Sequence, residues 1–201
     1  MNRLLGAGAL AVTLLLHGAH AQVIEFESNG LKYQTLTRSG VTVMFTHLGN
    51  HIHEYSILQV AISNGSDTPY NVRPEDFTYV HPDGSVLIAS SVKSVIDMLM
   101  QKGNSSDVVK LVTQYESTVY GNPHFKSTNG YEQRRQAALA MNGGNRMKAA
   151  VSASAVAMVL TRLKPGESTD GAVFFSTEGK PLVGGRVVVK TNSDVFEFKA
   201  E

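Results

Sequence analysis

The sequence predicts a mainly β domain, a sandwich of strands broken once by a block of α-helices. Three observations predict it. From Val41 to Leu87 apolar residues alternate with polar ones and are cut by turn clusters, the pattern of half-buried strands. From about residue 91 to 158 the apolar spacing changes to the three-and-four repeat of helices. From Val159 onward alternation returns. Strands that flank one helical block, rather than alternating with helices, argue against a βαβ chain.

The stretch Tyr55 to Ser85 carries the clearest pattern. Ile57, Val60 and Ile62 make a β-branched strand that Asn64-Gly65-Ser66-Asp67 ends, since Asn and Gly tolerate a tight turn's backbone. Pro69 and Pro74 hold the next segment extended. Phe77 and Tyr79 alternate in a short strand, and His81-Pro82-Asp83-Gly84 is a turn in which Pro presets φ.

The remaining elements follow in order. Val23, Ile24 and Phe26 form a first strand and Leu31, Tyr33 and Thr35 a second. Ser39-Gly40 turns the chain into Val41-Thr42-Val43-Met44-Phe45, and Leu48-Gly49-Asn50 reads as loop before a strand from about Ile52 to Ser63. Val92, Val95, Ile96, Leu99 and Met100 define a helix stopped by Gly103-Asn104. Ser105-Ser106-Asp107 caps a second, with Val108, Leu111, Val112, Tyr115 and Val119 as its apolar face. Gly121-Asn122-Pro123 ends that helix. Two Ala-rich runs, Tyr131 to Met141 and Asn145 to about Met158, are helical by propensity, although Ser152, Ser154 and the valines would also suit strand. Strands resume near Val159-Leu160-Thr161 and continue through Ala172–Phe175, Arg186–Val189 and Val195–Phe198, with a type II turn at Lys164-Pro165-Gly166-Glu167. About seven or eight strands in this arrangement fit an immunoglobulin-like sandwich. Its expected core is Val43, Phe45, Ile57, Val60, Ile62, Phe77, Leu87, Val173, Phe175, Val187, Val189, Phe196 and Phe198.

The N-terminus sets the expected compartment. Arg3, an apolar run from Leu4 to Leu16 and the small-residue end Ala19-His20-Ala21 form a secretory signal over residues 1–21. The run is shorter than the roughly 20 residues a spanning helix needs. Cleavage would leave a single domain starting at Gln22, periplasmic or secreted. With no cysteine there is neither a disulfide nor a lipid-modified cysteine. The whole chain carries 18 Lys and Arg against 17 Asp and Glu, and losing Arg3 leaves it formally neutral. No basic run exists, which disfavours nucleic acid as partner, and no later apolar run is long enough to cross a bilayer.

Val60-x-Ile62-x-Asn64-Gly65-Ser66, Pro74-Glu75-Asp76-Phe77 with Asp83-Gly84, and Leu163-Lys164-Pro165-Gly166-Glu167 with Gly171-x-Val173-x-Phe175 resemble a group of exported bacterial immunoglobulin-like domains. The resemblance covers roughly residues 41 to 90 and 159 to 199. It implies a fold and brings no catalytic residues.

His47, His51 and His53 are the clustered metal-type ligands; His51 and His53 share a face if both lie on a strand, and a third converging ligand would make a Zn²⁺ or Cu²⁺ site. The plainer reading is a polar strand entry near the surface, since nothing in the sequence fixes a third ligand. Glu75 and Asp76 point to opposite faces of an extended chain, against shared acid–base work. Arg134-Arg135 could meet an anion or lie on a solvated helix face. There is no nucleophile elbow, no P-loop and no dinucleotide fingerprint, so no cofactor is indicated. The expected function is a non-enzymatic binding or structural module of the cell envelope. The alternatives are a metal-binding exported protein and a hydrolase whose site converges only in three dimensions. Function is expected on the helical insertion, where Tyr115, Val119 and Tyr120, or Ala137, Ala138 and Met141, would meet a partner protein or a second copy.

Overall fold

Alternation, turn chemistry and one change of periodicity account for most of the chain path. The computed structural model describes residues 22–120, 129–191 and 193–200, and the side chains of these except residues 50, 119 and 120. The expected signal segment, the helix stop at Gly121-Asn122-Pro123 and the side chains of Val119 and Tyr120 lie outside the described residues.

Among the described residues there are eleven strands, four α-helices and one 3-10 turn at Pro74–Asp76, more strands than expected because several are only three residues long. The five-stranded sheet contains β1 (Ile24–Ser28), β2 (Leu31–Arg38), β3 (Val41–Ile52), β4 (Tyr55–Asn64) and β9 (Ser168–Ser176), in that order. A four-stranded sheet has the order β11 (Val195–Lys199), β10 (Arg186–Lys190), β6 (Phe77–Val80), β7 (Val86–Ile88). A short pair joins β5 (Tyr70–Val72) to β8 (Thr161–Leu163). Every pairing between these strands is antiparallel. Between β7 and β8 lie α1 (Val92–Lys102), α2 (Ser105–Tyr120), α3 (Tyr131–Ala140) and α4 (Asn145–Val156). The chain is thus a mixed fold of antiparallel sheets with one helical block. No helix among the described residues is long and apolar enough to cross a membrane.

The two larger sheets enclose one apolar core. Val41, Val43 and Phe45 of β3 and Leu58, Val60 and Ile62 of β4 meet Phe77, Val187, Val189, Phe196 and Phe198 of the opposite sheet. Phe45 and Phe198 make an edge-to-face pair with centroids 4.8 Å apart. A second core lies on the other side of the five-stranded sheet. There Tyr55, Ile57, Ala172 and Phe174 pack against Val95, Leu99, Leu111, Tyr115, Ala149 and Ala153 of the helices. Ile57 therefore belongs to the helical side and not with Val60, because residues three apart on a strand face opposite ways. Leu87 is only partly buried against the first core.

The turns behave as their residues require. Asn64 is fully buried, its amide donating to the carbonyls of Thr68 (2.8 Å) and Leu163 (3.1 Å), while its oxygen accepts from Ser66 Oγ (2.6 Å). The Asn-Gly-Ser motif is thus a staple across three segments. Gly166 takes φ +82°, and Glu167 N–H donates to Lys164 O at 3.0 Å.

Three local readings are corrected. Leu48-Gly49-Asn50 lies within β3, whose register shifts between Leu48 and Ile52; the irregularity absorbs the residues that looked like a loop. The cap of α2 is Asn104, whose oxygen accepts from Ser106 N (2.8 Å) and Asp107 N (3.2 Å), while Asp107 Oδ2 accepts from Asn104 N (2.9 Å). This reciprocal box satisfies donors that Ser105 would have left open. Leu160, expected in a strand, is 70% exposed and precedes β8.

The Ala-rich runs are helices, and their composition has a packing cause. α4 packs against α1, α2 and α3 at once. Ala149, Ala150, Ala153 and Ala155 are buried on it, so short side chains let three neighbours approach. Where α4 exits, a Cβ on Gly171 of β9 would lie 2.3 Å from Met158 Cα. Only glycine admits that crossing.

Candidate functional site

The helical layer holds a buried polar cluster beneath it and an apolar groove on its outside. The cluster begins at Asp170, on β9, which the strand alternation turns toward the helices between Thr169 and Gly171. Asp170 is 1% exposed. Asn129 Nδ2 lies within hydrogen-bond reach of Asp170 Oδ1 (3.0 Å), Asp170 O (2.8 Å) and the Tyr115 hydroxyl (2.8 Å). Gln59 Nε2 of β4 donates to Asp170 Oδ2 at 3.3 Å. Arg134 of α3 donates to Ala155 O (3.1 Å) and Asn129 O (2.7 Å). Burial, and then the Asp170 charge, push the Tyr115 phenol well above its ordinary range. Burial pulls the Arg134 guanidinium down, opposed by Tyr115 and Asp170. The cluster ties α2, α3 and α4 to β4 and β9. It is a positioning network, held away from solvent.

The groove lies above it, with a volume of about 310 Å³. Val108, Val109, Val112, Tyr131, Ala138, Leu139 and Ala155 form its apolar surface, and Arg135 and Lys148 stand at it. Val109 is 62% and Leu139 71% exposed. The α2–α3 wall is fixed by Glu116, whose Oε1 accepts from Tyr131 OH (2.9 Å) and Arg135 Nε (2.6 Å). The Tyr115 and Tyr131 rings pack with centroids 4.3 Å apart.

The expected partner residues divide. Tyr115 is 1% exposed and belongs to the core, because its ring fills the space between α2 and β9 and its hydroxyl is held by the polar cluster. Ala137 and Met141 are exposed, and Ala138 lines the groove. Val109, Leu139 and Lys148 were not singled out by the sequence. Leu139 is a large aliphatic side chain on an otherwise polar and Ala-rich helix, which is the signal that could have found it. Arg134 and Arg135 are neither free nor on a solvated face: the first sits in the polar cluster and the second pairs with Glu116.

The three histidines occupy three different surroundings. His47 turns its ring edge to Phe45 (centroids 5.5 Å), and its Nε2 is buried without a hydrogen-bond partner. His51 is exposed in β3. His53 is not on a strand: it occupies the hairpin turn with φ +51°, and its Nε2 donates to Asp107 Oδ2 at 3.0 Å. That contact ties the hairpin tip to the start of α2. Among the described residues no group of three or more His, Cys, Asp or Glu is placed to hold a metal ion. Glu75 and Asp76 do not lie on an extended chain, since Pro74–Asp76 is one 3-10 turn, and Asp76 is engaged, accepting from Arg73 Nη2 at 2.8 Å.

No family model matches the chain, and no curated protein matches it. Among solved structures the chain is similar to the yjhA protein from Bacillus subtilis, at 10% identity over 89% of this chain and 96% of that one, with a TM-score of 0.37. A likeness of that degree carries no argument about what this chain does.

Proposed function

We propose that the chain is an exported, non-enzymatic binding module of the bacterial cell envelope, built on an immunoglobulin-like sandwich and working through protein–protein contacts. The contact surface is the outside of the helical layer, and its occupant is a partner protein. One observation carries this reading: the apolar groove between α2, α3 and α4, with Val109 and Leu139 standing largely exposed beside it. Large exposed apolar side chains grouped about a concavity mark interaction surfaces. The signal pattern over residues 1–21 supports export.

Site-specific photocrosslinking in the producing bacterium tests it. A photoreactive residue at position 109 or 139 should give discrete adducts of higher mass, and the same residue at Val195, exposed on the far sheet, should not. Equal labelling at all three positions, or none at 109 and 139, would end the reading. Adducts of twice the chain mass would replace the partner with a second copy. Export is checked by N-terminal analysis of the released protein, which should start at Gln22.

A further inference from the structure

We infer that the segment seated in the groove is amphipathic and acidic: an apolar anchor flanked by carboxylates, presented by the partner protein. This rests on the groove being the contact surface, as proposed above, and adds the chemistry of what fills it. Both charged residues at the groove, Arg135 and Lys148, are cations, and no carboxylate lines it. Glu116 already compensates Arg135. Lys148 has no ion pair among the described residues. The surroundings have the same sign: the four helices carry seven Lys and Arg against four Asp and Glu, in a chain whose total is only +1.

An apolar floor beside an uncompensated ammonium selects for an apolar side chain next to an anion. A peptide segment fits better than a small lipid anion. Ala137 and Met141 are exposed apolar residues next in sequence to the groove-lining Ala138 and Leu139, and a helix laid in a groove uses successive apolar anchors.

The test pans a random 16-residue peptide display library against the protein produced from the full sequence, and against its Lys148→Glu and Leu139→Asp variants. Both substituted side chains are exposed, so the variants should fold. Selected peptides are then synthesised and measured by fluorescence anisotropy. The expected result is enrichment of Asp and Glu beside Leu, Ile or Phe. Affinity should fall at least about tenfold in Lys148→Glu, since like charges then face each other, and should weaken with added salt. Leu139→Asp should abolish the selection. Apolar peptides without acidic preference, lost in Leu139→Asp but unchanged in Lys148→Glu, would overturn the acidic inference and leave the groove reading standing. No enrichment over Leu139→Asp would also overturn it; the crosslinks at 109 and 139 then decide separately whether the groove is a contact surface at all. Saturable binding of oleate, with no peptide selected, would overturn it in favour of a lipid anion.

Discussion

The two faces of the five-stranded sheet are covered in different ways. One face meets a second sheet across an almost wholly apolar core, from Val43 and Phe45 to Val187 and Phe198. The other meets helices, and there apolar packing by Tyr55, Ile57 and Phe174 is mixed with the buried polar groups Gln59 and Asp170. Apolar contact is tolerant of direction, whereas hydrogen bonds fix it. The sheet-to-sheet side holds the molecule together, and the helix side also fixes how the groove-bearing layer is set on its support.

The comparison breaks most sharply if the helical layer is removable. Replacing residues 91–158 with a short Gly-Ser linker would bare Tyr55, Ile57, Ala172 and Phe174. Each large side chain exposed costs about 1.5–3 kcal/mol, against a total stability of roughly 5–15 kcal/mol. The shortened chain should fail to give soluble folded protein, judged by near-ultraviolet circular dichroism and gel filtration. A folded, monomeric product would show that the helices are an appendage.

A smaller change separates the two sides. Phe174 and Phe175 are neighbours in β9, both fully buried and on opposite faces. Each substitution by Ala should cost about 3–5 kcal/mol in denaturant unfolding. Hydrogen exchange should tell them apart. Phe174→Ala should raise exchange in α2 and α4 first, and Phe175→Ala should raise it in β3, β4 and β10. Identical exchange maps would mean that the two cores unfold as one unit.

Asp170 tests the polar half of the helix side. Asp170→Ala takes the carboxylate acceptor from the Gln59 amide and one of three acceptors from the Asn129 amide, and removes the carboxylate that opposes the burial of Arg134. A loss of about 3 kcal/mol follows from breaking such a buried set, and Asp170→Asn, which keeps an acceptor, should lose less. Both should leave the Tyr55 and Ile57 packing intact and loosen α3 most. If Asp170→Ala is as stable as the parent, the cluster does not position the layer.

Legibility follows the same division. The sheet-to-sheet core was readable because Val41, Val43, Phe45, Val187 and Val189 alternate locally, and the Pro-Gly and Asn-Gly turns set their own geometry. The first two helices were readable from periodicity, and the last two from their Ala content and flanking glycines. The second core was under-read. Tyr55 to Val60 is buried at every residue although Ser56 and Gln59 are polar, and the adjacent apolar pair Ile57-Leu58 is the mark of a strand covered on both faces. That signal would have moved Ile57 to the helical side. The polar cluster left no local trace: Gln59 and Asp170 are 111 residues apart, and Asn129 and Asp170 are 41 apart. No spacing rule reaches that far. The groove shares this limit, since it is made by three helices and belongs to none of them.

The smallest expected effect lies on the sheet-to-sheet side, at the ring of His47. His47 packs its edge on Phe45, and burial holds its pKa below the ordinary 6.5. No carboxylate is bonded to Nε2, which is buried and unpartnered. In the unfolded chain the same ring titrates near about 6.5. Between the folded and unfolded values the unfolded state therefore binds more protons, and stability rises with pH. Its contribution is constant above the unfolded value, is lost as pH falls below it, and stops changing below the folded value. Denaturant unfolding from about pH 7 to about pH 5, the range around the imidazole value, should show a steeper loss in the parent than in His47→Leu. A constant offset between the two proteins would reflect the orphaned nitrogen and the changed packing; the slope alone reports the proton. Parallel curves would mean that the ring reaches solvent in the folded state, and that the sandwich edge at His47 opens more readily than its packing against Phe45 implies.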